Sequence, residues 1–416
     1  MESNARDLKL KLHLQQTNKL SPKDSKFWFA ILALGMGSIL AFANLYFVHP
    51  LLPAFVDQFQ ISPTTASLSL SISVIALIFG LLFFGFYSDR HGRTTLMKFT
   101  LTLSVLPLFA MPFIDNFWIL LLVRMFQGFF IAGLPAAAIA YIGEEIEHKS
   151  IGFGVTIYIA CNAIGGMAGR ILIGILSDYT SWQTAIWSLC ALSAVILLLF
   201  FLWLPKSQNF EPSKLAVRED VVGMLVHLKS PVLINAFFMG IILQIAFTGI
   251  WTYLPFYLGE EPFSLSMKAI SLMYAAYLMG VVGSPVAGKL AQTFSHQTII
   301  ITGVIIMIIG DFLTMIESVT MIVVGLSVLC LGFFIAHSMT AAFVNMQATH
   351  HKGGASSLYL VSYYIGVASG GTATGFIWTS MGWQGIVLLS ILLIPLTIKI
   401  VRDSVRSKQK SFSKAN

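Results

Sequence analysis

Residues 156–170 read TIYIACNAIGGMAGR, and residues 357–371 read SLYLVSYYIGVASGG. Laid over each other at an offset of 201, they pair Tyr158 with Tyr359, Gly165 with Gly366 and Gly169 with Gly370. The same offset carries Trp182-Gln183 onto Trp383-Gln384, and GFFIAGLPAAA from Gly128 recurs as GFFIAHSMTAA from Gly332. Pro50 and Pro255 stand at the end of the first helix expected in each copy. One unit is therefore written twice in a chain of 416 residues.

The unit is a membrane one. Hydrophobic residues make up 56% of the chain, charged residues only 10%, and the mean hydropathy is +0.82, which excludes a soluble multidomain protein. ALIFGLLFFGF (76–86) and SAVILLLFFLWL (193–204) are apolar on every face, unlike the alternating strands of a β-barrel. An all-α membrane protein follows, with twelve runs long enough to cross ~30 Å of hydrocarbon as helix. They fall near 27–48, 66–87, 94–113, 117–141, 152–176, 183–204, 231–252, 267–288, 298–316, 320–344, 355–378 and 384–400.

Six spans per copy is an even number, so both copies enter the membrane in the same direction and form parallel repeats. Of the 25 Lys and Arg, all but Lys268, Arg124 and Arg170 fall in the two tails and the even-numbered loops, which predicts both termini in the cytoplasm. The net charge of +7 is thus a topology signal, and no nucleic-acid partner is expected. The organisation read from the sequence is a tail (1–26), a six-helix half (27–204), a polar linker (205–230), a second half (231–400) and a tail (401–416). The first apolar run follows 26 polar residues with no small-residue cleavage site after it, and is expected to be retained as a span.

Between the second and third spans the chain reads GFYSDRHGRTT (85–95), with Asp89, Arg90, His91 and Arg93 packed into five positions. Gly85 would admit a neighbouring helix and Gly92 would permit a tight turn. The pattern Gly85, Asp89, Arg90, Gly92, Arg93 resembles the helix 2–3 signature of the major facilitator superfamily. The second copy, GKLAQTFSHQT from Gly288, keeps the glycine and replaces Asp89 by Gln292. RMFQG in the fourth span, with Arg124, Gln127 and Gly128, is similar to a second family signature. NAIGGMAGR partly matches the glycine-rich fifth helix of drug:H⁺ antiporters: Gly165, Gly166 and Gly169 are present, Gly166 stands for the usual Pro and Arg170 for the last Gly. This variant is most similar to the YnfM-type branch of bacterial inner-membrane efflux carriers.

The resemblance implies two halves rocking about a central site, with residues 85–93 as a conformational switch. It implies a bacterial cell-membrane exporter of a small organic molecule or drug, coupled to protons and acting as a monomer without cofactor. The alternative reading is an uptake permease or uniporter for a small anionic or neutral metabolite. Asp89 is expected to reach the N-terminus of the eleventh helix, where the helix dipole is positive.

Ionisable groups inside spans are costly and therefore candidates for function. Arg124 and Arg170 lead, in the same half, and are read either as cargo or coupling groups or as ties to backbone carbonyls. Asn44, Gln127, Tyr158, Asn162, His337 and Tyr363 complete the candidate set, with Gly128, Gly165, Gly166, Gly169, Gly366 and Gly370 assigned to helix packing. The first, fourth and fifth spans hold no carboxylate before Glu144, which favours neutral or anionic cargo. Asp311 is expected to snorkel or cap, being near the end of a peripheral span.

Other chemistries find little support. No Walker A sequence or HExxH occurs, and the serine-rich SLSLSIS (67–73) has no associated histidine, so neither an ATP-driven pump nor an intramembrane enzyme is expected. Cys161, Cys190 and Cys330 lack paired spacing and read as small buried hydrophobes. His350 and His351, with His148, lack the spacing of a metal site.

Overall fold

Helices begin where a side chain can take over the backbone N–H groups that a first turn leaves unpaired. Ser62, Asn116, Ser181, Ser230, Ser266 and Ser295 each accept a backbone N–H two or three residues on. Pro63 and Pro231 occupy the first helical position after two of these caps, where a missing N–H costs nothing.

The computed structural model describes residues 19–212, 217–350, 352–400 and 402. Residues 1–18 and 403–416 of the two tails, and His351, lie outside them. Ten apolar helical segments follow in order: α1 (Ser25–Phe59), α2 (Pro63–His91), α3 (Arg93–Phe113), α4 (Phe117–Glu145), α5 (Ile151–Tyr179), α6 (Trp182–Trp203), α7 (Pro231–Gly259), α8 (Met267–Leu290), α9 (His296–Leu313) and α10 (Val319–Gln347). An eleventh, Gly353–Ile400, is 48 residues long, about 72 Å of helix against ~30 Å of hydrocarbon. Gly382 divides it at φ 58°, ψ −148°, a conformation that glycine adopts freely. This segment thereby divides into α11 (353–381) and α12 (383–400), which gives twelve spans among the described residues.

The duplication is visible in the packing. α5 lies on α1 as α11 lies on α7, α4 lies on α2 as α10 lies on α8, and across the boundary α2 meets α11 while α5 meets α8. The repeated glycines make the first of these contacts. A Cβ at Gly165 would fall 2.5 Å from the carbonyl of Ile39 on α1, and one at Gly366 would fall 2.5 Å from that of Ile241 on α7. Gly128 brings α4 against α2 so closely that a Cβ would sit 2.0 Å from the carbonyl of Ser73.

One departure from the expected spans matters for the site. α1 does not stop near residue 48; it passes through a 3₁₀ turn at His49–Leu51 and resumes as Leu52–Phe59. The linker, for which the sequence reading gave no conformation, holds the short helix Val217–Leu225 and a 3₁₀ turn, Val226–Lys229.

At the basic end of the bundle the chain is buttoned onto α4. Leu20 pairs with the strand-like segment after α4 through Leu20 N–H to Glu145 O (2.8 Å) and Glu147 N–H to Leu20 O (3.1 Å). The buried carboxylate of Glu145 accepts from the Ser207 hydroxyl (2.5 Å), the backbone N–H groups of Gln208 and Asn209 (2.8 Å each) and the Asn209 amide (2.9 Å). These contacts fix where the linker leaves the first half.

Candidate functional site

The break in α1 has a physical cause. Ending a helix at Tyr46 leaves its last carbonyls unpaired, and Arg124 of α4 satisfies two of them. Its Nη1 donates to Asn44 O (2.8 Å) and its Nη2 to Leu45 O (2.7 Å), while Nε donates to Ser69 O on α2 (3.1 Å). Nη1 also donates to Gln127 Oε1, whose amide nitrogen donates to Ser104 O on α3 (3.1 Å). The guanidinium is fully buried and lies 5.0 Å from the centre of the Phe47 ring. A cation at the C-terminal end of a helix also complements its dipole. Arg124 and Gln127 therefore tie α1, α2, α3 and α4 together. Asn44 lies beside them, its Oδ1 accepting from Ser193 (3.4 Å).

The 3₁₀ turn that follows delivers His49 to Arg170. Arg170 Nε donates to His49 Nδ1 (2.9 Å), and Nη1 donates to Gly166 O (2.9 Å). The guanidinium carbon stands 4.4 Å from the ring centre of Tyr46, 5.2 Å from Tyr274 and 5.0 Å from Tyr277. Tyr46 belongs to the first half and the other two to α8, so the cation sits in an aromatic cage built from both halves. Cation–π contacts are worth ~0.5–1 kcal/mol at exposed sites and ~2 kcal/mol or more when desolvated. Among the described residues no carboxylate pairs with Arg170. Gly166 keeps the cage open: a Cβ there would lie 3.3 Å from both Arg170 Nη1 and the Tyr46 ring.

From Tyr46 the aromatic lining continues into the second half. The Tyr46 phenol lies near that of Tyr363 on α11. Tyr363 packs on His337 of α10 with ring centres 4.7 Å apart, and His337 Nδ1 shares a hydrogen bond with the Tyr359 hydroxyl (2.9 Å). On the opposite wall Ser38 of α1 donates to Asn162 Oδ1 of α5. Tyr158 is buried close by, its hydroxyl without a hydrogen-bond partner.

Side-chain contacts between the halves gather at the end away from residues 85–95. Ser71 and Ser67 of α2 meet the Thr372 hydroxyl of α11 at 2.8 and 3.4 Å. Gly174 of α5 lets Ser271 of α8 approach so closely that a Cβ would overlap its hydroxyl. His49 Nε2 lies 3.4 Å from Thr252 Oγ1 of α7, and Lys268 of α8 donates to the Tyr179 hydroxyl of α5 (2.5 Å). Tyr46, Asn162, His337 and Tyr363 nevertheless remain half-buried.

The geometry can be set beside known proteins. The family description "Major Facilitator Superfamily" matches residues 34–349 and 260–415. The chain belongs to the Major Facilitator Superfamily. The transporter is 33% identical over 377 residues to the uncharacterized MFS-type transporter YybF of Bacillus subtilis (strain 168), covering 90% of this chain and 93% of that one. It is 30% identical to the inner membrane transport protein YnfM of Escherichia coli (strain K12), covering 94% of each. In fold it resembles a bacterial homolog of the human lysosomal transporter Spinster, solved in an inward-facing, unoccupied conformation. The TM-score is 0.75 at 14% identity, over 91% of this chain and 97% of the other.

Within the transporter, the turn at 85–95 takes a different arrangement from the one expected. Gly92 does make the turn, at φ 101°, but no atom lies within 4 Å of a Cβ built at Gly85, so no helix packs closely there. Asp89 does not reach the start of α11 among the described residues; its carboxylate is held by Arg93. Arg93 also donates to the Ser88 hydroxyl (2.9 Å) and to Glu144 of α4 (2.7 Å). Arg90 donates to Phe86 O (2.9 Å). Asp89 and Arg93 therefore form a clasp inside the first half, with Glu144 as the partner that the sequence reading passed over.

Asp311 also departs from its expected role. It is fully buried on α9, and neither carboxylate oxygen has a hydrogen-bond partner, so it neither snorkels nor caps. Its surroundings are Cys330 of α10 and Ser390 of α12. His350 stacks on His227 at 5.4 Å. His49 is the main site residue that sequence reasoning missed; the signal was its place beside Pro50, at the point where a helix must break.

Proposed function

We propose that this transporter is a proton-coupled exporter of a small neutral or anionic organic molecule, working by alternating access between its two halves. The observation that carries the reading is Arg170. Among the described residues it is a buried cation at the boundary of the halves with no carboxylate beside it, held by a neutral imidazole, a backbone carbonyl and three aromatic faces. Such a group offers its charge to an anionic or strongly polar substituent of a cargo, and the tyrosines offer flat faces to an organic ring.

The charge distribution supports cargo entry from the cytoplasmic side. With the basic end cytoplasmic, as the Lys and Arg bias favours, the contacts that join the halves at the far end leave the cytoplasmic side as the one from which an exporter would load. The partial drug:H⁺ signature at Gly165, Gly166 and Gly169 supports the same direction. Arg124 serves in this reading to hold the α1 break, and so to place His49 and Tyr46.

The test is transport in proteoliposomes carrying an imposed pH gradient, with cationic, neutral and anionic compounds added in turn and proton movement followed by a pH-sensitive dye. Proton movement triggered by neutral or anionic compounds supports the proposal. A response confined to lipophilic cations overturns the assignment of cargo class.

A further inference from the structure

We infer that His49 is a proton-binding latch between the halves: its neutral form joins them at the far end, and its protonation releases them. The inference rests on the alternating-access reading but not on the class of cargo.

Both ring nitrogens are engaged, and their roles can be assigned. Arg170 Nε is always a donor, so His49 Nδ1, 2.9 Å away, must be an unprotonated acceptor. The proton of the neutral ring then lies on Nε2, which faces Thr252 Oγ1 of α7 at 3.4 Å. Within the first half the ring holds Arg170; across the boundary it reaches the second half. The ring is 1% exposed and lies parallel to Tyr46, with centres 6.0 Å apart and 6° between planes.

Every element packed against His49 constrains what a second proton would do. From α5 comes the Arg170 cation, from α8 the ring of Tyr274 at 6.4 Å, from α7 the Thr252 hydroxyl, and from α4 the more distant charge of Arg124. None of these groups is an anion. A proton on Nδ1 would turn the acceptor into a donor aimed at a donor and set two like charges side by side. The hydrogen bond to Arg170 would be lost, and the aromatic cage that spans both halves would be pushed apart. Histidine is the side chain whose charge changes in the physiological range, so one proton here is converted into a change in how the halves meet.

The same geometry gives the latch a sidedness. With the far end closed, the ring is neutral and dry. With the far end open, the ring faces water and can take a proton from that side, and reclosing requires the proton to leave. Thr252 and Ser271 lie within a few residues of the same seam, on α7 and α8, so the latch and the close contact at Gly174 would part together.

The test is distance measurement by pulsed electron resonance between spin labels at Asp115 and Glu317, which lie in far-end loops of opposite halves, in a cysteine-free background. In the wild type the long-distance population should grow as the pH falls from 8 to 5. His49→Gln, which keeps a donor and an acceptor but does not titrate, should lose that response. A response retained in His49→Gln, or absent in the wild type, overturns the inference. Should His49→Gln not be recovered folded, nitrogen NMR of histidine-labelled wild type replaces it. One histidine must pass from the Nε2–H tautomer to the imidazolium in step with the distance change, and failure to do so overturns the inference. Proteoliposome flux separates this inference from the proposed function. A latch that responds through His49 without proton-linked transport leaves the latch standing and removes proton coupling. Proton-linked transport undiminished in His49→Gln, together with a retained distance response, removes the latch and leaves the coupling.

Discussion

Arg170 and His49 share a single hydrogen bond of 2.9 Å, and its direction is fixed because a guanidinium can only donate. That one contact makes the imidazole neutral, keeps the cation aligned under three tyrosine rings, and connects a buried charge to a residue that reaches the other half. Four elements converge to build it: the α1 break places the ring, α5 supplies the cation, and α7 and α8 supply the second half's contacts.

Arg170→Lys should leave the fold intact and reduce flux at least tenfold. An ammonium keeps the charge but loses the flat stacking and the fixed donor fork. Flux into proteoliposomes at matched protein recovery checks this; near wild-type flux would mean that Arg170 is not part of the cargo site.

Arg124→Gln should behave differently, as a folding defect. Its N–H groups satisfy the carbonyls of Asn44, Leu45 and Ser69, and leaving a buried acceptor unsatisfied costs about 1–3 kcal/mol. A marked fall in thermal unfolding temperature in detergent is expected, with flux lost in proportion to folded protein. A stable variant lacking only transport would move Arg124 into the coupling machinery.

Gly128→Ala should disrupt the bundle and Gly85→Ala should not. The added methyl would collide with backbone at Ser73 in the first case and meet open space in the second. Size-exclusion profiles after membrane extraction distinguish the two outcomes.

Asp311→Asn should change thermal stability little, by about 1 kcal/mol or less, because the carboxyl it replaces has no hydrogen-bond partner to lose. A large destabilisation would show that the carboxylate is ionised and paired.

Asp89→Asn should have a small effect on stability, within about 1 kcal/mol, since the half-exposed pair with Arg93 is supported by Glu144. Its larger effect is expected on the proportion of open and closed states, read from the same spin-label pair.

Much of this was legible in the sequence because hydrocarbon imposes a simple rule. Runs such as SAVILLLFFLWL have no polar face, and the glycines at 165, 169, 366 and 370 recur where α5 meets α1 and α11 meets α7. Arg124 and Arg170 were visible as charges where charges are expensive. Their partners were not: a sequence shows that Arg124 is buried but not that a helix break 80 residues earlier offers it two carbonyls. His49 was hidden for the same reason, since hydropathy ends the first span before the turn that carries it inward. Asp89 illustrates the converse. Its motif was plain, but its partner was decided by Arg93 and Glu144, which local spacing alone does not rank against a distant helix terminus.

The measurement that bears most directly on the central claim is proton movement in proteoliposomes of the wild type and Arg170→Lys, with an anionic, a neutral and a cationic compound of similar size under an imposed pH gradient. Proton flux triggered by the anionic or neutral compound in the wild type, and lost in Arg170→Lys, is the expected result. Flux triggered only by the cation, or unchanged in Arg170→Lys, would contradict a cargo site centred on Arg170.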